Sequence, residues 1–340
     1  MKKIFCCLIL LCILTAGCAG TEKTVRIKAA PEAIARKWDT VRLPGTDSWV
    51  DYSPDLDTRG QVDFVRGKVA LETVIPLDSG NIRDTAEQKI VLHALRVLTA
   101  ESPDKDPFLK GQIRNRKGDI LTDKNMRDFI TKEIVPGLRR KRVYVSKDGV
   151  KRVRIGADFD LLPNHIEIRA KHYMGTVRHF ARKMKLDPAL IMAMIHAESH
   201  FNPMARSPDG ALGLMQLMPP YGAKEAYGFL YRTRKILPEA YFYDPARNIE
   251  LGTTYYYLLK TRHFHDIPDN TAQRYIAVCA YNWGPGRLRR LVRTHALAKK
   301  NGAAVYSLLQ QKTPAETAEY LKDVMGRYPA YEKMLAADEN

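Results

Sequence analysis

The sequence predicts an α+β protein in which a small α+β domain is followed by an all-α domain. Apolar residues alternate with polar ones in short hairpin-like stretches before residue 164, whereas they recur at helical spacing after it. The chain has 340 residues, a length that suggests one large domain or two of ordinary size. We therefore expect an α+β domain over residues 40–164 and a helical domain over residues 165–340.

The first 17 residues are typical of a secretory leader. Two lysines supply a positive start, and the apolar run over residues 4–14 is too short to span a bilayer. The leader ends in Leu14-Thr15-Ala16-Gly17 before Cys18. This end resembles the lipobox of bacterial lipoproteins, in which cleavage precedes the cysteine and the cysteine is then acylated. We predict a lipoprotein signal peptide over residues 1–17, and the alternative is an ordinary soluble secretory signal.

The same resemblance predicts where the protein lies. Acylation of Cys18 would supply a membrane anchor, because each buried methylene group contributes about 0.8 kcal/mol. Ala19 follows the cysteine where an aspartate would imply retention at the inner membrane, so we expect the outer membrane, with the protein facing the periplasm. Residues 18–39 show little apolar periodicity apart from Ile34 and Trp38, and they are predicted to form a lipid-anchored tether that is either extended or partly helical.

Composition and charge limit the partners and cofactors. The formal net charge of +17 favours an anionic partner such as nucleic acid, phospholipid head groups or an acidic cell-wall polymer, and it fits a solubilising surface equally well. The sequence carries no signature of a nucleic-acid-binding fold, so we expect no nucleic acid partner. Cys279 is the one cysteine in the body of the chain, and no Cys/His cluster has zinc-binding spacing. We expect neither a metal nor a cofactor.

The α+β domain is predicted from alternating patterns, helical patterns and turn signals. The turn signals are Arg66-Gly67 and Lys147-Asp148-Gly149. Lysines and arginines cluster over residues 139–154, and this cluster either contacts wall polymer or lipid or forms a solvated hairpin face. The predicted elements are a hairpin over residues 61–75, helices over 84–100 and 122–135, and a hairpin over 143–155.

Helical spacing dominates from about His165 onward. A helix over residues 166–184 leads to a second helix that begins at Asp187, since an aspartate can cap free amides and Pro188 fits the first helical position. A loop-rich, aromatic stretch is expected over residues 216–243. Further helix starts are predicted at Asp244-Pro245, Thr271 and Thr313-Pro314.

The helix that begins at Asp187 carries the candidate catalytic residue. Glu198 follows Ile191 by seven residues, so it shares the apolar face and lies near the C-terminal end, before the stop expected at Asn202-Pro203. Burial and the negative end of the helix dipole both disfavour an ionised carboxyl, so Glu198 should hold a proton near neutral pH, as a general acid requires. The alternative is a glutamate at the edge of the buried face with its carboxyl in water.

Three blocks together are more specific than Glu198 alone. They are Glu198-Ser199 followed by Phe201-Asn202-Pro203, then residues 210–216 (GALGLMQ), then residues 280–284 (AYNWG). With these blocks the chain resembles the lytic transglycosylases of the lysozyme-like superfamily over roughly residues 168–324, and its leader and α+β region resemble their membrane-bound members. The resemblance implies a lysozyme-like fold for the helical domain and peptidoglycan glycan strands as the partner.

The resemblance also implies roles for individual residues. Glu198 matches the single catalytic acid/base of the family, which cleaves the β-1,4 bond between MurNAc and GlcNAc without water and leaves a 1,6-anhydro-MurNAc end. The amides of Gln216 and Asn282 suit hydrogen bonds to N-acetyl and hydroxyl groups. The positions that match substrate-binding residues are Ser199, Ser207, Met215, Gln216, Tyr281, Asn282 and Tyr320.

Departures from the family pattern keep alternatives open. Asp209 could be a second carboxylate that activates water, as in goose-type lysozymes, although an aspartate before Gly210 is also typical of an exposed turn. Pro219-Pro220 stands where the family has small polar residues. The alternative functions are therefore a water-using muramidase and a non-catalytic peptidoglycan-binding lipoprotein. The acid argues against the second, because a binder needs no carboxyl on an apolar face.

Overall fold

The computed structural model describes residues 31–101 and 107–338. The predicted signal peptide, the lipidation site at Cys18 and the first part of the tether lie outside these residues. Within them, no helix combines the length and the apolar composition that crossing a membrane would require.

The described chain begins with an antiparallel sheet and its helices and continues as a run of helices. Short π-helical turns occupy Ile130–Ile134 and Leu259–His263. In chain order the elements are α1 (Pro31–Lys37), β1 (Ser48–Tyr52), β2 (Thr58–Asp63), β3 (Lys68–Pro76), α2 (Ile82–Leu98), α3 (Met126–Phe129), β4 (Arg139–Val145), β5 (Lys151–Asp160), α4 (His165–Lys183), α5 (Pro188–Ser199), α6 (Gly222–Tyr231), α7 (Glu239–Phe242), α8 (Pro245–Leu258), α9 (Asn270–Trp283), α10 (Pro285–Thr294), α11 (Gly302–Lys312) and α12 (Ala315–Asp338).

The sheet has the strand order β1-β2-β3-β5-β4, and each neighbouring pair is antiparallel. The β2–β3 hairpin pairs Val62 with Val69 across a turn at Gly67, where a φ of +64° favours glycine. The β4–β5 hairpin turns at Gly149, whose φ is +81°. Helix α2 covers β2 and β3 and buries Ile90 against them. Both predicted hairpins and the predicted helix over residues 84–100 are thus confirmed.

Part of the predicted tether is folded. Residues 31–37 form α1, and the side chains of Ile34 and Trp38 are 2% and 3% exposed where they pack near Val74 of the sheet. The Trp38 indole donates a hydrogen bond of 2.7 Å to the carbonyl of Leu56. The partly helical form of the tether is therefore confirmed by residues 31–37, and the two apolar side chains dock this part on the sheet.

Helix α5 is the centre of the helical region. Its residues from Ala189 to Ile195 are all buried, so the helix is surrounded on every side rather than amphipathic. Helices α4 and α12 pack against it. The helix starts as predicted, since the Asp187 carboxylate accepts a hydrogen bond of 2.9 Å from the Ala189 amide. Cys279 on α9 is buried in the same core, and burial raises the pKa of its thiol.

Some local predictions are wrong. The loop-rich stretch over residues 216–243 is confirmed only in part, because α6 and α7 form within it and α6 packs on α8. Helix α9 is capped by Asp269, whose carboxylate accepts a hydrogen bond of 2.8 Å from the Ala272 amide, and not by Thr271. Residues 122–135 are only partly α-helical, since α3 passes directly into its π-helical turn. The α9 cap was misassigned by two residues within a local Asp-Asn-Thr run, whereas the packing of α6 on α8 is a contact that local patterns do not contain.

Candidate active site

Glu198 stands on the last turn of α5, which ends at Ser199. The chain then leaves the helix sharply, because His200 and Phe201 adopt left-handed φ angles of +50° and +59°. Non-glycine residues rarely do so, and here the fully buried Phe201 ring holds the turn in place. The helix therefore ends before the predicted stop at Asn202-Pro203, and the chain is redirected directly after the candidate acid.

The surroundings of Glu198 favour the protonated carboxyl. The side chain keeps some contact with solvent, but protein atoms enclose the carboxyl closely. This loss of hydration raises the pKa of Glu198 to about 8. A hydrogen bond from Tyr320 partly opposes the rise, and the negative charge of Glu316 adds to it. The carboxyl thus carries a proton at neutral pH, which is the state a general acid needs.

Two tyrosines stand beside this carboxyl. The Tyr320 hydroxyl is buried and, among the described residues, makes no hydrogen bond of regular geometry, so its contact with Glu198 is a weak one. The Tyr281 hydroxyl donates a hydrogen bond of 2.8 Å to the carbonyl of Met215. Burial, together with the nearby Glu198 charge, raises the pKa of both phenols well above the ordinary value. Both tyrosines are therefore neutral hydrogen-bond donors at neutral pH.

The loop of residues 210–216 is held by Asn248 on α8. The Asn248 amide nitrogen donates hydrogen bonds of 2.9 Å and 2.8 Å to the carbonyls of Leu212 and Phe242. Its amide oxygen accepts a hydrogen bond of 2.8 Å from the backbone amide of Met215. Asn248 is itself fully buried, and two of its three hydrogen bonds hold the loop while the third reaches α7.

Gln216 presents an unpaired acceptor. Its side-chain nitrogen donates a hydrogen bond of 2.9 Å to the carbonyl of Gly213, while its side-chain oxygen is buried without a partner within the described residues. Such an orphaned oxygen costs about 1–3 kcal/mol, a cost that a donor on a bound ligand would remove. Gly213 permits the arrangement, because a Cβ there would lie 2.2 Å from the Phe242 carbonyl oxygen.

Ser199 and Met215 lie in the core. They do not line the groove, the name used here for the sugar-binding surface that the family resemblance predicts beside Glu198. Both side chains are 0% exposed. The Ser199 hydroxyl donates a hydrogen bond of 2.8 Å to the carbonyl of Leu214, and Met215 packs on Gly252, where a Cβ would lie 2.3 Å from the Met215 sulfur. Their predicted sugar contacts are therefore wrong. Ser199 holds the 210–216 loop to α5, which precedes it, and Met215 packs the loop on α8, which follows it.

The remaining candidates stay accessible. Asn282 and Ser207 are half-buried; the Asn282 side-chain oxygen accepts a hydrogen bond of 2.7 Å from Thr317, which leaves its amide nitrogen available. The Ser207 hydroxyl oxygen accepts a hydrogen bond of 2.9 Å from the Ala211 amide. Asp209 is exposed in the same loop. Within the ranges that the structure describes, no group of three His, Cys, Asp or Glu side chains could hold a metal ion.

A buried arginine joins the sheet to the end of α5. Arg169 on α4 is 3% exposed and donates hydrogen bonds of 2.8 Å to the Phe64 carbonyl, 2.6 Å to the Gln112 side-chain oxygen and 3.2 Å to the His200 carbonyl. A fourth contact of 3.0 Å reaches the ring nitrogen of His165. Loss of hydration lowers the pKa of Arg169 to about 10, so the guanidinium is still charged at neutral pH.

The segment before β1 reaches the same place. The Thr46 carbonyl accepts a hydrogen bond of 3.1 Å from the Asn202 side chain, and the Asp47 carboxylate lies 3.0 Å from the His200 ring nitrogen. The Gly45 carbonyl accepts a hydrogen bond of 3.2 Å from the Arg206 amide. Residues 200–206, which we call the α5 exit, are thus held by the N-terminal region as well as by α4.

Asn248, Arg169 and Glu316 were not found from the sequence. Each one acts on the motif residues from a different helix, and the spacing along the chain gives no sign of this. The available signal was a polar residue on a helix position expected to be buried, which holds for Asn248 and Arg169.

Comparisons with known proteins agree with these features. A family model described as the transglycosylase SLT domain matches residues 176–303. A membrane-bound lytic murein transglycosylase C from Klebsiella pneumoniae (strain 342) is 30% identical over 315 residues, which cover 87% of this chain and 85% of the relative. The protein of the same name from Edwardsiella ictaluri is 29% identical and covers 86% of this chain and 84% of the relative.

The chain belongs to the membrane-bound lytic murein transglycosylase C family. It is therefore a peptidoglycan lytic transglycosylase, and the enzyme class predicted from the three blocks is confirmed. Among solved structures, the 70-kDa soluble lytic transglycosylase of Escherichia coli matches with 26% identity and a TM-score of 0.39, covering 48% of this chain and 24% of that one. A complex of a 70-kDa soluble lytic transglycosylase with bulgecin A matches with 26% identity and a TM-score of 0.41, covering 51% and 26%.

Proposed function

We propose that Glu198 is the single acid/base of a non-hydrolytic cleavage of the β-1,4 bond between MurNAc and GlcNAc. The observation that carries the proposal is an enclosed carboxyl whose pKa is raised to about 8 beside the Gln216 loop. A glycoside can leave only when its oxygen is protonated and positive charge at the anomeric carbon is stabilised. Glu198 supplies the proton.

In the first step the Glu198 hydroxyl gives its proton to the glycosidic oxygen as the bond from that oxygen to the anomeric carbon breaks. The carbonyl oxygen of the substrate's own N-acetyl group then bonds to the anomeric carbon, so that no protein nucleophile is needed. Most glycosidases use a second carboxylate for this purpose. Here Asp209 is exposed in its turn. The hydroxyl of Ser199, the residue after the acid, already donates a hydrogen bond to the 210–216 loop.

In the second step the Glu198 carboxylate takes the proton of the C6 hydroxyl of MurNAc. The C6 oxygen bonds to the anomeric carbon and displaces the N-acetyl oxygen, which gives the 1,6-anhydro end and restores protonated Glu198. The proton balance closes on one residue, because the acid of the first step is the base of the second. Between the two steps Glu198 is a carboxylate, and the neutral Tyr320 hydroxyl can donate a hydrogen bond to it.

Three residues are proposed to hold the sugar. The unpaired side-chain oxygen of Gln216 suits an N-acetyl N–H or a hydroxyl, and the free amide nitrogen of Asn282 suits a carbonyl or hydroxyl oxygen. Tyr320 remains a proposed groove residue through its hydroxyl, and Tyr281 supports the loop through Met215. We infer that Ser207 contributes at the rim of the groove.

We infer further that the protein is a lipoprotein anchored in the outer membrane and facing the periplasm. The leader, the Leu14-Thr15-Ala16-Gly17-Cys18 end and Ala19 support this, as does the membrane-bound name of the relatives. A Cys18→Ala variant should appear in the soluble periplasmic fraction while the unchanged protein fractionates with outer membranes. Retention of the variant in the membrane would exclude acylation as the anchor.

The test of the reaction uses the protein from residue 19 onward on purified sacculi, with soluble products weighed by mass spectrometry. We expect products lighter by one water per cut and without a reducing end. Glu198→Gln should reduce turnover by about 10³-fold or more, because proton transfer is lost in both steps. Glu319→Gln, an exposed glutamate on α12, is the matched control and should retain full turnover. Reducing ends in the products would show that water is the nucleophile and would make Asp209 the next residue to change.

A further inference from the structure

The second half of the chain contains a long basic run without acids. Between Asp269 and Glu316 there is no aspartate or glutamate, and there are eight lysines and arginines. Most of this charge lies on or next to α10, whose apolar residues Leu288 and Val292 are buried. The surface of α10 is therefore a concentrated positive face.

The basic cluster over residues 139–154 provides a contrast. Arg154 and Arg142 lie 2.8 Å and 3.2 Å from the Asp39 carboxylate, and Lys141 lies 2.5 Å from Asp158. With Arg152, which pairs with Asp148, four of the eight cations in this cluster are paired with acids of the same region, and this half of the cluster needs no anionic partner. The reading of this cluster as a solvated hairpin face is the one that these ion pairs favour.

The basic run at α10 is not neutralised in this way. Arg289 pairs with Asp266 at 2.8 Å, while Arg287 and Arg290 are exposed and have no ion pair within the part of the chain that the structure describes. The two free guanidinium groups border a pocket of about 340 Å³, which is large enough for a small ligand group. The pocket is lined by Trp283, Arg287, Arg290, Leu291, Thr294 and His295.

The lining defines the chemistry of the ligand. Guanidinium groups bind carboxylates through paired, charge-assisted hydrogen bonds. Trp283 and Leu291 add an apolar wall, and Thr294 adds a hydroxyl. The matching ligand is therefore a short chain that carries carboxylates together with small apolar groups. The stem peptide of peptidoglycan has this composition, since it combines alanine residues with free carboxylates.

The position of the pocket agrees with this ligand. Trp283 directly follows Asn282, whose side chain is joined to Thr317 near the base of α12, the helix that carries Tyr320. The stem peptide is attached to MurNAc, the sugar whose bond is cut, and the function proposed above gives Asn282 a contact with the bound sugar. We propose that the α10 pocket binds the carboxylate-bearing stem peptide of the glycan strand held in the groove, a proposal that rests on the function proposed above.

The test removes the two free charges and compares two substrates. Arg287→Gln with Arg290→Gln is the pocket variant, and Arg293→Gln with Lys300→Gln removes the same charge from exposed positions outside the pocket. The substrates are sacculi with intact stems and glycan strands stripped of stems by an amidase. We expect the pocket variant to raise KM about fivefold to tenfold on intact sacculi and to leave the stripped strands unaffected, because two carboxylate contacts are lost.

Binding measured without catalysis separates this proposal from the proposed reaction. In a Glu198→Gln background, sedimentation with intact sacculi should weaken for the pocket variant and not for the control variant. An equal loss on both substrates, or an equal loss in both variants, would overturn the proposal. Unchanged binding to sacculi with weaker binding to vesicles containing anionic phospholipid would assign the pocket to a lipid surface instead, and would leave the role of Glu198 intact.

Discussion

The two sides of the C-terminal end of α5 each bury an ionisable side chain, an acid on one side and an arginine on the other. On the groove side, Glu198 is enclosed next to two tyrosines and near another acid, Glu316. On the junction side, Arg169 is enclosed by carbonyl and amide oxygens of the sheet region and the α5 exit. Neither group has an oppositely charged side chain among the causes that set its pKa. The C-terminal end of α5 therefore lies between two buried ionisable groups without a charged partner, Glu198 on α5 itself and Arg169 on α4.

The difference lies in how each burial is compensated. Arg169 keeps its charge, because several acceptors replace the water that it loses. Glu198 has one weak donor, so it gives up its charge and holds a proton instead. A buried ionisable group with several hydrogen-bond partners keeps its charge and holds chain segments together. A buried group with few partners can gain or lose a proton near neutral pH. The predictions below change one side at a time.

The largest effect on stability is expected from Arg169→Met. The substitution leaves the Phe64 and His200 carbonyls without their donor, so the free energy of unfolding in urea should fall by about 3 kcal/mol. Arg293→Met, an exposed arginine of α10, is the control and should change it by less than about 0.5 kcal/mol. A loss under about 1 kcal/mol for Arg169→Met would mean that the junction is not fastened by this residue.

On the groove side, a substitution is expected to raise the free energy of unfolding and not to lower it. The folded-state pKa of Glu198 is about 8 against an ordinary value of 4.5, so the folded protein binds the extra proton and loses stability as pH rises through this window. Glu198→Gln should therefore be more stable than the unchanged protein by about 1–2 kcal/mol at pH 7, after allowance for residual solvent contact. The two proteins should unfold alike near pH 4, and a difference there would show that packing, not charge, is responsible.

A smaller effect is expected from Tyr320→Phe. Turnover of the unchanged enzyme should fall as pH rises through about 8, because Glu198 then loses the proton it donates. The Tyr320 hydroxyl favours the ionised carboxyl, so its removal should move this alkaline limb of kcat/KM upward by about half a pH unit. A limb that stays in place while turnover falls would assign Tyr320 to sugar binding alone.

The smallest effect is expected from Asp47→Asn. The pair with His200 fixes the α5 exit from the junction side, but the Asp47 side chain is 56% exposed, so the loss should stay below about 1 kcal/mol. His200 holds the pKa of Asp47 below its usual value, so any contribution is present above pH 4 and disappears as the pH falls further. Thermal melts at pH 7 and pH 3 check this, and a loss as large as that of Arg169→Met would reverse their order of importance.

The residues on the groove side could be identified from the sequence, whereas those on the junction side could not. Glu198 was placed correctly, although the helix that carries it is buried all round and not on one face as the periodicity suggested. Ser199 and Met215 were misplaced, because motif spacing does not show that the 210–216 loop packs against α5 before it and α8 after it. Arg169 was missed since its acceptors come from segments far apart in the chain, two of them backbone carbonyls.

Cys279 has a practical consequence for following this enzyme on its substrate. It is the one native cysteine beyond residue 18, and its thiol is fully buried and hard to ionise. Because maleimides react with thiolates, the native side chain should resist labelling in the folded protein. A single cysteine introduced at an exposed site such as Arg293 would then take up a fluorophore selectively, and the native protein needs no cysteine removed first.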